Sequence, residues 1–225
     1  MVEAAKGDSP ASAAALAHLC SIYWYPLYAF IRRRGCSPEE AEDLTQGFFG
    51  RLIEKEGLKT VGREKGKFRS FLLSTFSNYA NSEWARQHTQ KRGGLNRITS
   101  WDGMEAEERY LLEPMDSLTP EKLFERRWAF IVVEQVLCQL RHEYAKSNRL
   151  AVFTELQACL TQAAEPGVIA AAARRLEMGE GALKIALHRL RRRFGQHLRA
   201  QVAATVASPD QVEEELHHLV AALSS

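Results

Sequence analysis

No apolar run in this chain approaches the roughly 18 residues that a membrane span requires; stretches such as residues 150–153 and the alanines at 170–173 end far sooner. The first ten residues include Glu3, Lys6 and Asp8 and no apolar block. No secretory signal is read there, and a cytoplasmic location without membrane contact is expected. Cysteines are few and far apart: Cys20, Cys36, Cys138 and Cys159 form no C-x-x-C, and no histidine stands at zinc-finger spacing from them. That pattern excludes a disulfide framework and a structural zinc site, and casts the thiols as small buried hydrophobes. The seven histidines are scattered, with no H-E-x-x-H, so neither a metal nor a cofactor is expected.

Catalytic signatures are missing as well. Gly62-Arg63-Glu64-Lys65-Gly66-Lys67-Phe68 is one residue short of a phosphate loop, and phenylalanine stands where a magnesium-binding Ser or Thr is needed. There is no nucleophile elbow, and no carboxylate pair stands out from ordinary helix-surface charge. No catalytic residue is expected, and an enzyme is the least favoured class.

What is present is the composition of a folded protein. The 225 residues are 45% hydrophobic and 26% charged, enough to bury a core in one or two compact units and far from the signature of disorder. The net charge of +2 conceals a block pattern. Residues 1–92 carry 14 basic and 10 acidic side chains, residues 93–122 carry 3 and 7, residues 123–206 carry 13 and 7, and the tail 207–225 has no basic residue and 4 acidic ones. Two basic segments separated by an acidic one point to two modules for a polyanion.

Strand signals are nearly absent, and apolar residues recur at three and four, so the fold expected is all-α. Asp8-Ser9-Pro10 caps a first helix, in which Pro26 is expected to force a kink or restart, with Gly35 in the left-handed position after Arg32-Arg33-Arg34. Ser37-Pro38-Glu39-Glu40 is a capping box, opening a helix with Ala41, Leu44, Phe48 and Leu52 on one face. A helix from about Lys67 to Gln90 interleaves Phe68, Phe71, Leu72, Phe76, Tyr79 and Trp84 with Lys65, Lys67, Arg69, Arg86, Lys91 and Arg92. Rings amid positive charge suit a single-stranded nucleic acid, whose bases stack while its backbone follows the cations. Phe68, Phe71 and Leu72 are expected in the core, and Tyr79 and Trp84 divide evenly between core and surface.

Residues 93–118 read as an acidic linker, with Tyr110-Leu111-Leu112 as an apolar trio able to dock. Thr119-Pro120-Glu121 opens the next helix, and Leu150, Phe153, Leu156 and Leu160 mark another. Then Ile169, Ala172, Ala173 and Leu176, a break at Glu177-Met178-Gly179, and a helix through Leu183, Leu187, Leu190 and Phe194 give helix-turn-helix spacing. Its second helix offers Lys184, His188, Arg189, Arg191, Arg192 and Arg193 for a major groove. A helical hairpin with a solvated basic face is the competing interpretation.

At these residues the chain resembles bacterial RNA polymerase sigma factors of the extracytoplasmic-function group. Ala41-Glu42-Asp43-Leu44-Thr45-Gln46-Gly47-Phe48-Phe49 looks like the acidic helix of the family's region two, and Leu176-Glu177-Met178-Gly179-Glu180-Gly181-Ala182-Leu183-Lys184, followed by Leu187-His188-Arg189-Leu190-Arg191, looks like its region-four helix-turn-helix. The likeness covers most of the chain, from about Leu16 to Val206. It implies a region-two module at 1–92, a linker at 93–118 lying along the polymerase's own nucleic-acid channel, and a region-four module at 119–206, followed by an acidic helix at 207–225. The implied function is promoter-specific initiation, without catalysis of its own. The implied partners are promoter DNA and core RNA polymerase, through the beta-prime clamp helices and the beta flap, with room for an anti-sigma protein.

Residue by residue, the resemblance assigns core-polymerase contact to Glu42, Asp43, Gln46 and Phe49. It assigns minus-ten recognition to Asn78, Tyr79, Asn81 and Trp84, with Lys65, Arg69 and Arg86 on phosphates. It assigns minus-thirty-five recognition to Lys184, Ile185 and His188, with Arg189, Arg191 and Arg192 on the backbone. Three features depart from the pattern: Gly47 replaces a clamp-facing glutamate, Glu177 stands at the turn glycine with Gly179 at the hydroxyl cap, and Ile185 is fit only for an apolar contact such as a thymine methyl. The tail opens with Ser208-Pro209-Asp210-Gln211 as a capping box and carries Val212, Leu216, Leu219 and Leu223 as one stripe. It is expected to pack on the region-four module, either as a brake over its basic face or as an extension of its core. A stand-alone helix-turn-helix regulator and a helical protein-interaction module are the alternatives to the sigma assignment.

Overall fold

The computed structural model describes residues 10–54, 67–89, 101–112, 118–160, 167–206 and 208–224, and all regular structure among them is helical. The fold is all-α. Helices α1 (Pro10–Arg33), α2 (Pro38–Glu54), α3 (Phe68–Thr89), α4 (Trp101–Leu111) and α5 (Pro120–Lys146) are followed by α6 (Leu150–Leu156), a 3-10 turn (Gln157–Cys159), α7 (Val168–Arg175), α8 (Glu180–Ala203) and α9 (Gln211–Ser224). No helix among the described residues is long and apolar enough to cross a membrane.

Local chemistry sets most of these boundaries. At α2 the box closes reciprocally: the Glu40 N–H donates to Ser37 Oγ at 3.2 Å while the Ser37 N–H donates to Glu40 Oε2 at 2.8 Å. The Lys122 N–H reaches Thr119 Oγ1 at the start of α5. Three helices end in the same six-to-one and five-to-two pattern, with a left-handed residue just past the helix: Gly35 (φ 96) after α1, Asn148 (φ 55) after α5 and Glu177 (φ 53) after α7. Pro26 neither ends nor restarts α1, which runs on to Arg33.

The chain forms two compact units, one drawn from Met1–Phe130 and Ala203–Ser225, the other from Ile131–Val202. In the first, Tyr23, Leu27, Tyr28 and Phe30 of α1 are buried with Leu44 and Phe48 of α2, Phe68, Leu72 and Phe76 of α3, and Phe124 and Trp128 of α5. Phe76 is the centre of a ring cluster, 6.2 Å from Phe30 and 5.1 Å from Phe48. In the second, Val136, Leu140, Phe153, Leu156, Ala172, Ala173, Leu183, Leu187 and Leu190 form one core. The two buried alanines of α7 let helices of this unit approach closely.

Three expectations are corrected. The 93–118 segment does not mark the change of unit, which falls inside α5 between Phe130 and Ile131. Its described part is a helix, α4, packed on α1 and α2 rather than strung out as a linker. Glu107 holds it there, accepting from Arg32 Nε and Nη2 at 2.8 and 2.7 Å and from Tyr28 Oη at 2.6 Å. Burial works against this carboxylate, but the Arg32 and Tyr28 contacts outweigh it and keep its pKa below the ordinary range. Tyr110 lies under the Arg32 guanidinium, while Leu111 and Leu112 stay exposed.

The second correction concerns the tail. Its helix starts at Gln211 after backbone turn bonds from Gln211 to Ser208 and from Val212 to Pro209. It belongs to the first unit and not to the one that holds the helix-turn-helix, so it is no extension of that module's core. The third is Cys138, which is exposed, whereas Cys36 and Cys159 are buried and all four thiols are free.

Glu177 holds the left-handed position between α7 and α8 without glycine's freedom, at a cost of about 1 kcal/mol. Glu177→Gly is expected to raise stability by about 0.5 kcal/mol, part of the gain being lost to unfolded-chain entropy. Glu177→Ala should give no such gain. Urea unfolding followed by circular dichroism compares the two.

Candidate nucleic-acid interface

Helix α8 of the second unit is amphipathic in the sense a groove-reading helix needs. Leu183, Leu187 and Leu190 point into the core. Lys184, His188 and Arg192 recur every four residues on the opposite side, with Ile185 and Arg189 one step round, and all five are exposed. Ile185 is 56% exposed amid cations, so burial does not explain an isoleucine there. Arg191 differs. Its Nε and Nη2 donate to the Cys159 carbonyl at 3.1 and 2.7 Å, so it caps the 3-10 turn, and its assignment to the DNA backbone is corrected. Arg193 is likewise held, pairing with Glu143 at 3.1 Å.

The first unit carries a second candidate face, on α3. Asn78, Asn81 and Arg86 are exposed, and Tyr79 and Trp84 are half-buried. Arg34, from the end of α1, stacks on the Trp84 ring at 5.2 Å and donates to Asn81 Oδ1 at 3.3 Å. Arg51 of α2 lies over the Tyr79 ring at 5.7 Å, and Arg86 pairs with Glu83 at 2.9 Å. Between α2 and α3 runs a groove of about 300 Å³ lined by Phe48, Arg51, Leu52, Thr75, Asn78, Tyr79 and Ser82. Burial, then Glu83, raise the Tyr79 phenol above its ordinary pKa.

Gly47 now has a steric reason. A Cβ built there would lie 2.5 Å from the Tyr79 hydroxyl, so the missing side chain is what lets the phenol rest against α2.

On α2, Asp43 and Gln46 are exposed, and Gln46 Nε2 donates to Glu42 Oε1 at 2.9 Å. Glu42 and Phe49 are each only 6% exposed, which corrects their assignment as contacts for a partner: in this fold they face the core. Lys65 lies outside the described residues.

The largest correction is Arg69, expected on a phosphate and found 4% exposed. Its Nε meets Glu215 Oε1 at 2.5 Å, its Nη1 meets Glu125 Oε1 at 2.8 Å, and its guanidinium covers the buried Trp128 ring at 5.2 Å. Burial disfavours its charge, but the Glu215 and Glu125 carboxylates more than compensate and raise its pKa. Lys67 sits at the edge of the same cluster, 3.0 Å from Glu214 and 3.2 Å from Glu215.

Arg34 and Arg51 were missed from sequence because each joins the α3 face from another helix. The only trace of Arg34 was its place in the basic run closing α1. No group of three His, Cys, Asp or Glu suited to a metal occurs among the described residues. Comparison with protein-family models, with curated proteins and with solved structures finds no match.

Arg69→Ala leaves the buried Glu215 with Lys67 at its edge in place of two guanidinium bonds and is expected to cost about 3 kcal/mol, against under about 0.5 kcal/mol for the exposed Asn78→Ala. Thermal unfolding separates them. Gly47→Ala alone gains helix propensity of about 1 kcal/mol but drives a methyl into the Tyr79 hydroxyl. Its effect should therefore be more favourable in a Tyr79→Phe background, with a coupling of about 0.5–1.5 kcal/mol in a double-mutant cycle.

Proposed function

We propose that the chain is a sigma factor: a non-catalytic subunit that binds core RNA polymerase, directs it to promoters and helps open the duplex. The observation that carries this is the presence of two outward cationic faces of different kinds, one on each compact unit. On α8, Lys184, Ile185, His188, Arg189 and Arg192 stand outward on the second helix of a helix-turn-helix, as a major-groove reader requires. On α3, Asn78, Tyr79, Asn81 and Trp84 combine rings and amides with Arg34, Arg51 and Arg86, as an unstacked single strand requires. A regulator that binds closed duplex has use for the first face alone. Asp43 and Gln46, exposed on α2, are the residues that would meet the beta-prime clamp helices.

On this assignment Arg34 and Arg51 join the minus-ten face, while Glu42, Phe49, Arg69 and Arg191 serve the fold. Each base contact would discriminate by roughly 1–3 kcal/mol, and the phosphate contacts would make affinity fall steeply with salt.

Run-off transcription with purified core polymerase and a promoter-fragment library tests the proposal. Wild type should yield promoter-specific transcripts. Asp43→Ala/Gln46→Ala should lose them by failing to bind core, and Lys184→Ala/Arg192→Ala by failing to select the upstream element. Absence of any complex with core, together with tight duplex binding by the protein alone, would make it a stand-alone helix-turn-helix regulator instead.

A further inference from the structure

The acidic helix α9 docks through an unusual face. Its buried residues are Val212, Glu215, Leu219 and Ala222, so a carboxylate that is 1% exposed sits within an otherwise apolar stripe. That carboxylate meets Arg69, and the adjacent Glu214, 71% exposed at its side chain, meets Lys67. The segment before the helix joins in, as the Thr205 carbonyl accepts the Phe68 N–H at the start of α3 at 3.4 Å. The C-terminal segment thus neutralises the cationic beginning of the helix whose later turns carry the candidate single-strand face.

Helical spacing makes this consequential. Lys67, the residue just before α3, and Asn78 are eleven residues apart, three turns or about 16 Å, so the helical spacing continued back by one residue sets them on the same side. Asn81 lies on that side too. A strand running along Asn81 and Asn78 toward the start of α3 meets Lys67 with Glu214 and Glu215 already on it. The Lys67–Glu214 pair is partly open to water and worth little, so Lys67 released from it gains a charge-assisted bond to phosphate at small cost.

We propose that α9 is an autoinhibitory latch: Glu214 and Glu215 take the place of a strand phosphate at Lys67, and single-stranded DNA bound along α3 displaces them from it, while Arg69 keeps its buried partners. The proposal rests on the α3 face being a single-strand interface. If the closed form outweighs the open by about ten to one, the latch lowers apparent affinity about tenfold.

The test uses the full chain and oligodeoxythymidylate. Hydrogen exchange of the α9 amides should accelerate on saturation with the oligonucleotide. Glu214→Gln/Glu215→Gln should bind it about tenfold more tightly than wild type, and adding Lys67→Gln should cancel much of that gain. Glu214→Gln alone, at an exposed position, should show a smaller gain in the same direction even if the double variant folds poorly. The latch is overturned if α9 stays equally protected with the oligonucleotide bound, or if the variants match wild type within about twofold while run-off transcription is normal. No oligonucleotide binding by any form, with no transcription, overturns the sigma assignment and the latch together.

Discussion

A guanidinium with almost no access to water sets the terms for the first unit. Arg69 follows Phe68 at the start of α3, and once α3 packs against α1 and α5 its charge is enclosed over the Trp128 ring. An enclosed cation without counter-charge costs several kcal/mol, so the fold is viable only if carboxylates come to it. Glu125 comes from the first turns of α5, and Glu215 from a helix 146 residues later in the chain. The chain must therefore return after the second unit, and residues Ile131–Val202 become an excursion from the first unit rather than a terminal domain.

The same economy of charge separates structural cations from outward ones. Arg32 binds Glu107 and fixes α4; Arg175 forks onto Glu155 at 2.6 and 3.0 Å; Arg191 closes the turn after α6. Each of these has a partner that fixes two pieces of chain. Lys184, Arg189 and Arg192 show no such pairing among the described residues and lie exposed along one helix face. A net charge of +2 is thus a poor guide to polyanion affinity, since Arg32, Lys67 and Arg69 are neutralised by carboxylates of the fold while Lys184, Arg189 and Arg192 share one exposed face of α8. Such gathering focuses potential where the sum over the chain predicts little.

What could be read from sequence follows the range of the interaction. The Ser37 capping box, the left-handed Gly35, the Thr119 start and the break at 176–179 are all decided within about four residues, and the structure has each of them. The all-α class and the inward side of α8 follow from helical periodicity, which is also local. Arg69, Glu107 and the docking of α9 are decided by partners 56 to 146 residues away, for which a single sequence carries no signal. Composition even pointed the wrong way: an acidic segment read as a linker because nothing nearby showed that Glu107 belongs to Arg32. Basic residues beside aromatics likewise stood for a nucleic-acid face both at Arg69, where they form core, and at Trp84, where they lie at the surface.

Gly47 illustrates how a departure from an expected pattern gains meaning only in three dimensions. By sequence it is a lost charge and a weak point in α2. In the fold it is the space into which the Tyr79 hydroxyl fits, which keeps the ring over Phe48 and under Arg51 at the edge of the α2–α3 groove. A glutamate at that position would put its Cβ and charge against the phenol and push the ring outward. The side chain given up on α2 and the aromatic gained on α3 are then one feature, so α2 and α3 cannot vary independently: a larger residue at 47 requires a smaller or displaced one at 79. That contact ties position 47, on the helix bearing Asp43 and Gln46, to position 79, on the helix bearing Asn78 and Asn81, and a side chain added at 47 is accommodated by movement of the Tyr79 hydroxyl.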